Sequence, residues 1–229
     1  MDGGARGPLG VHDARCRGAA STGARLLTPG QIHEFWFADA ADDPAKAQRR
    51  MAFWFRADRD TDEAIADRFA STLAAAGDGR LSDWESRPRS CLALIVVLDQ
   101  CPRNIYRGAA GAYRYDARAL ALARSGVAAG QLHSLTPIEQ AFFLMPFQHC
   151  EDLRGQREGF ALFQSTADEA PHEWHTVMDS VLHYARLHLE IVERFGRFPH
   201  RNAVLGRPST AAELEYLTTN GESFGQTAT

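Results

Sequence analysis

The chain has 229 residues, of which 45% are hydrophobic, and its 25 Lys and Arg against 29 Asp and Glu give a formal net charge of −4 at pH 7. This length and hydrophobic content fit one helical domain with a sizeable core and exclude wholesale disorder. The negative net charge argues against a nucleic-acid binder or a protein held on an anionic membrane, because both need a strong positive field.

The two ends of the chain differ in composition from its middle. Residues 1–27 are rich in Gly, Ala and Arg and lack the apolar stretch of a secretory signal, so we predict a disordered extension there. Residues 28–219 contain no long linker and no shift in composition, which favours one domain. Residues 220–229, beyond the last predicted helix, are predicted to form a flexible tail.

The spacing of the cysteines and the length of the apolar runs bear on the cellular compartment of the protein. The cysteines at positions 16, 91, 101 and 150 form no CxxC pair, which is typical of free thiols in a reducing environment and offers no zinc site. The longest apolar run, Cys91–Leu98, is much shorter than the roughly 20 residues of a membrane-spanning helix. We therefore expect a cytoplasmic protein with no transmembrane helix and no metal site.

Helix starts are marked by capping residues, and the caps Thr28, Asp43 and Thr136 are each followed by Pro at the first helical position. Pairs with the spacing of a capping box, in which the second side chain reaches back to a free amide, are Thr28 and Gln31, Asp60 and Glu63, Thr136 and Glu139, and Thr210 and Glu213. The predicted helices cover residues 29–38, 44–57, 61–76, 89–101, 117–129, 137–147, 152–169, 172–196 and 210–219. No run alternates polar and apolar residues over the length of a strand. The sequence thus predicts an all-α single domain of about nine helices, packed as antiparallel pairs without regular repeats.

The predicted helix over residues 89–101 is apolar in every direction along most of its length, as expected of a central helix surrounded by others. It leads directly into the polar segment Asp99–Arg107, where Pro102 is predicted to end the helix and turn the chain. If buried, Asp99 and Arg103 each need an opposite charge or several hydrogen bonds. The segment is either a lock between helices or part of a ligand site.

A second polar segment, Met145–Asp152, follows the next strongly apolar helix, which Pro146 is expected to interrupt. His149, Glu151 and Asp152 combine a group that titrates near neutrality with two carboxylates, the material of general acid–base catalysis or of metal ligation. Asp152 is interpreted as a helix cap, which is favourable beside free amides and the positive end of the helix dipole.

A third polar segment, Phe195–Asn202, follows the amphipathic helix predicted over residues 172–196, and Gly196 is a natural stop for that helix. Phe198 can anchor the segment in the core, while its Arg, His and Asn side chains could recognise a phosphate or a carboxylate. A basic loop is also a common feature of plain protein surface.

His188 lies on the apolar side of the same helix, and a buried imidazole must still satisfy its ring nitrogens. It is either a structural histidine or one that reaches the internal polar segments. The opposite side carries His172, His175, Asp179 and His183, whose spacing suits metal ligation but is more typical of a solvated face.

The three polar segments, LDQCPRNIYRG, MPFQHCED and FGRFPHRN, resemble the family called domain of unknown function 924. The aromatic triplets Phe35–Phe37 and Phe53–Phe55 and the spacing between the segments also agree, over about residues 28–219. The resemblance implies an all-α bacterial protein similar to the tetratricopeptide-like helical superfamily. It implies no established activity.

Each polar segment follows the end of an apolar helix and contains charged or imidazole groups that a core cannot bury alone. We therefore hypothesise that the segments converge on one pocket for a small anionic ligand, where a histidine oriented by Glu151 or Asp99 moves a proton in hydrolytic or lyase-type chemistry. The predicted catalytic residues are His149, Glu151 and His200. The predicted ligand-binding residues are Asp99, Gln100, Arg103, Asn104, Arg107, His188, Arg201 and Asn202.

The alternative hypothesis is a helical scaffold that binds a peptide or protein in a concave groove, with the polar segments as internal locks. A third interpretation gives those segments a purely structural role. The sequence contains no phosphate-binding GxxxxGK[ST] loop, no GxGxxG turn and no GxSxG nucleophile motif. It identifies neither a cofactor nor an oligomeric state.

Overall fold

A computed structural model of the chain describes residues 25–219 and 221–226. These residues contain ten α-helices, short 3₁₀ turns and no strand, which confirms the prediction of an all-α single domain. The helices are α1 (Pro29–Trp36), α2 (Pro44–Phe55), α3 (Arg59–Gly77), α4 (Pro88–Ile95), α5 (Cys101–Ile105), α6 (Asp116–Ala128), α7 (Pro137–His149), α8 (Leu153–Glu169), α9 (His175–Phe195) and α10 (Ala211–Thr219). None of them combines the length and hydropathy that a bilayer crossing needs.

Most of the predicted helix starts are capped as the sequence indicated. Gln31 and Thr28 exchange the two hydrogen bonds of a capping box, and the Asp43 carboxylate accepts from the first amides of α2. The cap predicted at Asp60 is wrong, because α3 begins two residues earlier than predicted. Asp58 has the extended backbone of a cap residue, and its Oδ2 accepts from Thr61 N at 2.9 Å.

The central helix α4 is buried on all sides from Cys91 onward, as predicted, but Pro102 does not end it. The five residues Val96–Gln100 form a π-turn, closed by the amide of Cys101 donating to the carbonyl of Val96, and α5 then continues to Ile105. A π-turn is wider than an α-turn and has room for a proline ring that a regular helix would crowd. The prediction of a turn at Cys101 is therefore wrong, and the helix carries the polar segment along its own axis.

Pro146 does not interrupt α7 either, which runs on to His149. Proline inside a helix removes one backbone hydrogen bond and costs about 3 kcal/mol. All residues of α7 from Ala141 to His149 are buried, so packing on both sides of the helix offsets that loss. His149 is therefore the last residue of a buried core helix.

The last elements bring the C-terminal part of the chain back to this region. α9 ends at Gly196, which adopts the left-handed conformation with φ 70°, and a 3₁₀ turn over Pro199–Arg201 follows. Residues 1–24, most of the predicted extension, lie outside the described residues, while Leu26 and Leu27 pack on the core. Residues 221–226, within the predicted tail, lie against the domain beside α5 and α9.

Candidate functional site

The three polar segments line one cavity of about 590 Å³. Its walls also include α2, Tyr113, α9 and the C-terminal residues Glu222–Gln226. Eight of the residues predicted for a site line it, namely Gln100, Arg103, Asn104, Arg107, His149, His188, His200 and Arg201. Asp99, Glu151 and Asn202 do not reach it.

Asp99 and His149 form a buried pair at the wall of this cavity. The Asp99 side chain is 0% exposed and lies behind His149, whose Nδ1 is 2.9 Å from each carboxylate oxygen. Gln100 Nε2 donates to the same carboxylate at 2.6 Å. Because a carboxylate only accepts hydrogen bonds, the proton of neutral His149 lies on Nδ1, and Nε2 carries the lone pair. Nε2 has no hydrogen-bond partner among residues 25–219 and 221–226.

The charges around this pair set its protonation at neutral pH. Burial raises the pKa of Asp99, but the charges of Arg103 and of protonated His149 outweigh it and hold that pKa well below its usual value. Burial and the positive charge of Arg103 lower the pKa of His149, against the opposing attraction of Asp99. The pair is therefore a carboxylate and a neutral imidazole at pH 7.

Two buried guanidinium groups share one carboxylate on the same side of the cavity. Arg103 donates to both oxygens of Asp116 at 2.9 and 3.0 Å, and Arg201 donates to one of them at 3.3 Å. Arg201 also lies 4.4 Å from the centroid of the Tyr113 ring, a cation–π arrangement. With Asp99 3.4 Å from Arg103, two positive and two negative charges balance in this cluster.

His188 and His200 are held neutral at the same cavity. His188 Nδ1 donates to the Tyr184 carbonyl at 2.7 Å, which leaves the lone pair on Nε2. Burial and the neighbouring His149 lower the pKa of His188 well below its usual value. Burial and the charge of Arg201 lower the pKa of His200 to about 3.

Several polar atoms at the cavity have no hydrogen-bond partner within the described part of the chain. Buried polar groups normally find one, and each exception needs an explanation. The four such buried side-chain atoms that belong to cavity residues are Gln148 Oε1, His200 Nδ1, Arg201 Nε and Gln226 Oε1. Arg201 Nε is a donor only, and His200 Nδ1 is a donor in one tautomer.

Other predicted site residues serve as locks between segments. Glu151 accepts from Arg207 through both carboxylate oxygens and from the amide of Phe198 at 2.7 Å. Asn202 bonds Ser209 and Arg207 and is 1% exposed. Glu151 thus does not orient His149, since its oxygens are engaged by the segment that follows α9.

Arg107 and Asn104 line the cavity, but their polar atoms are engaged. Arg107 donates to both oxygens of Asp62 at 2.6 and 2.7 Å and to the carbonyl of Gly225 at 2.6 Å. Asn104 bonds the Gln100 carbonyl at 3.0 Å and accepts from Arg107 at 3.1 Å. Both residues shape the wall of the cavity by fixing α5 to α3 and to the C-terminal segment.

Sequence reasoning missed important members of the site. Asp116 was not singled out, although the need of Arg103 for an opposite charge implied that some acid must lie near it. Gln148 and Met145 lay within a quoted segment, but neither was given a role. Phe224 and Gln226 fell in the predicted tail, and no local pattern marked them.

The remaining candidates lie elsewhere. The stripe His172, His175, Asp179 and His183 is exposed, and no group of three or more His, Cys, Asp or Glu suited to a metal ion occurs in the described parts of the chain.

Asp152 caps α8, as interpreted, by accepting from Gly155 N at 2.8 Å. Cys91, Cys101 and Cys150 are free thiols, and burial raises the pKa of each. They are therefore poor nucleophiles at neutral pH.

Comparison with known proteins identifies relatives but no activity. The family model of bacterial proteins of unknown function, DUF924, matches residues 32–221, which confirms the resemblance of the three polar segments. The structure of the protein of unknown function ATU0120 from Agrobacterium tumefaciens is similar at 35% sequence identity and a TM-score of 0.69, over 82% of this chain and 96% of that one. No curated protein matches.

Proposed function

The chain belongs to the DUF924 family of bacterial proteins of unknown function, and we propose that it binds a small anionic molecule in the cavity, where His149 accepts a proton as a general base. The observation that carries this proposal is the contact of His149 Nδ1 with both oxygens of buried Asp99, at 2.9 Å each. This contact keeps the basic Nε2 free on a residue that lines the cavity. Asp99 also stabilises the imidazolium that forms when His149 takes the proton.

The anionic character of the ligand is supported by the donors that lie at the cavity. Arg201 Nε and His200 Nδ1 are buried and unpartnered among the described residues, and an anion could accept from both. The charges of Arg103 and Arg201 are already balanced by Asp99 and Asp116. An added anion therefore leaves one negative charge in excess, which favours protonation of a neighbouring histidine.

The chemistry open to this arrangement is proton removal. His149 could activate a water for hydrolysis or take a proton from the bound molecule in an elimination, the two reaction classes that a lone base beside an anion site supports. Covalent catalysis by a thiol is disfavoured because burial raises the pKa of Cys101 and Cys150.

The test is calorimetric binding of acetate and of inorganic phosphate at pH 6 in two buffers with different ionisation enthalpies. We expect partial proton uptake on binding at this pH, since the anion raises the lowered pKa of His149 and so makes its neutral form a stronger base. His149→Asn should abolish most of that uptake, while keeping an amide that can donate to Asp99. His172→Asn, at an exposed histidine that does not line the cavity, is the matched control.

Thermal unfolding of each variant shows whether it is folded before binding is measured. Binding of neither anion to the wild-type protein would overturn the proposed anion site. Equal proton uptake by the wild-type protein and by folded His149→Asn would overturn the role of His149.

A further inference from the structure

The lining of the cavity contains both polar and apolar side chains. The polar wall is formed by α5, Tyr113 and the turn that carries His200 and Arg201. The apolar wall consists of side chains from α2, α7 and α9, namely Met51, Ala52, Phe55, Met145, Val181 and Tyr184, although polar residues of the same helices, such as Gln48 and Gln148, also line the cavity. A ligand that fills this space contacts both kinds of wall.

The apolar wall reaches the surface at two exposed rings. Four large hydrophobic side chains are exposed in the described part of the chain, and two of them, Phe55 at 43% and Tyr184 at 49%, line the cavity. Apolar side chains left in water at the edge of a cavity are typical of a ligand-binding rim.

The volume of the cavity supports the same conclusion. At about 590 Å³ it lies within the range of sites for organic molecules, about 300–1,000 Å³. A bare carboxylate or phosphate at Arg201 would occupy only a fraction of this space and would leave the apolar wall in contact with water. A molecule with an apolar arm would remove that wall from water.

We infer that the cavity takes an amphipathic anion, with its charged group at Arg201 and His200 and an apolar chain or ring between α2 and α9. This inference rests on the proposed anion site and adds the class of the ligand. Phe224 closes the space from the C-terminal side, since its ring lies 5.7 Å from that of His200.

The experiment is a calorimetric series of acetate, butyrate, hexanoate and octanoate, with butanol and hexanol as uncharged partners. Each buried methylene contributes about 0.8 kcal/mol, so the Kd should fall about fourfold per methylene until the apolar wall is covered. Carboxylates should bind at least tenfold more tightly than alcohols of equal length.

Three variants distinguish the contribution of the apolar wall to affinity from that of the polar wall. Tyr184→Ser should flatten the dependence on chain length, while Leu214→Ser, an equally exposed apolar residue away from the cavity, should not. Arg201→Lys keeps the charge but lacks the Nε donor, so it should weaken all carboxylates by a similar factor. Circular dichroism confirms that each variant is folded.

The outcomes distinguish this inference from the proposed function. Carboxylate affinity that does not change with chain length would overturn the apolar arm and leave the anion site standing. A dependence on chain length with equal affinity for alcohols and carboxylates would overturn the anion site itself. Failure of every probe to bind would overturn both.

Discussion

The ring of Phe224 stacks on the ring of His188, with their centroids 3.8 Å apart and their planes inclined by 21°. The same segment is held by two hydrogen bonds to the polar segment that contains α5. The Gly225 carbonyl accepts from the Arg107 guanidinium at 2.6 Å, and the side-chain Nε2 of Gln226 donates to the Arg103 carbonyl at 3.2 Å. The C-terminal segment therefore forms part of the wall that keeps His188 buried.

Phe224→Ala should expose His188 without unfolding the domain. We expect His188 to react several-fold faster with diethyl pyrocarbonate, as followed by mass spectrometry of the modified peptide. The free energy of unfolding should fall by about 1–2 kcal/mol, less than for a fully buried ring because Phe224 is only partly buried. Leu214→Ala is the control, and an unchanged rate at His188 would show that Phe224 does not cover it.

Asp99→Asn removes the charge behind His149 and keeps the shape of the side chain. Because Asp99 raises the pKa of His149, its loss should lower that pKa further and weaken the Nδ1–H tautomer. Arg103 also loses one of its two carboxylates, so the free energy of unfolding should fall by about 3 kcal/mol. Nitrogen NMR of labelled histidine reports the tautomer and the pKa.

Asp179→Asn, on the exposed side of α9, should change neither quantity. If the pKa of His149 stayed the same or rose in folded Asp99→Asn, the ionic link between the two residues would be refuted.

How much of this site the sequence could predict depends on the range of the interactions. The caps at Thr28 and Asp43 were predictable because a cap is a contact between residues two or three positions apart. That His149 and Arg103 each follow an apolar helical stretch was equally predictable, since this depends on the local hydrophobic pattern.

Apart from the cap of α3, which is Asp58 and not Asp60, the errors involve contacts that are distant in sequence. Pro102 remains helical because a π-turn precedes it, and Pro146 because its helix is buried, so that packing compensates for the missing amide donor. Both effects depend on neighbouring helices. Asp116 joins Arg103 to Arg201, and Arg201 lies 85 residues beyond Asp116 in the chain. No local signal assigns such a carboxylate to its partners.

The neutral histidines at the cavity make stability depend on pH. His200 has a pKa of about 3 in the folded protein, whereas an unfolded histidine titrates near about 6.5. Between these values the unfolded state binds one proton more at His200 than the folded state does. The stability that His200 contributes is therefore fully present above about pH 6.5 and is lost as the pH falls toward about 3. His200→Gln should reduce the slope of unfolding free energy against pH by up to about 1.4 kcal/mol per unit in that window.

Urea unfolding at intervals from pH 7 to pH 4.5 measures this slope for each protein. His172→Gln is the matched control, because that histidine is exposed. A slope for His200→Gln equal to that of the wild-type protein would show that His200 titrates alike in both states.

Glu151→Gln distinguishes a lock from a catalytic carboxylate. Burial raises the pKa of Glu151, but the hydrogen bonds from Arg207 and from the Phe198 amide outweigh it and hold that pKa below its usual value. Loss of the charge should weaken both contacts and lower the free energy of unfolding by about 2 kcal/mol. Proton uptake on acetate binding should remain, because the base is His149 and its partner is Asp99.

Glu158→Gln is the matched control for this prediction. Glu158 pairs with Arg124 at 3.1 Å, but both side chains are about 40% exposed, so its loss should cost less than about 1 kcal/mol. Urea unfolding and the two-buffer calorimetry are run on the same preparations. Loss of proton uptake in a Glu151→Gln protein that still binds acetate would return Glu151 to the proton-transfer chemistry and contradict its assignment as a lock.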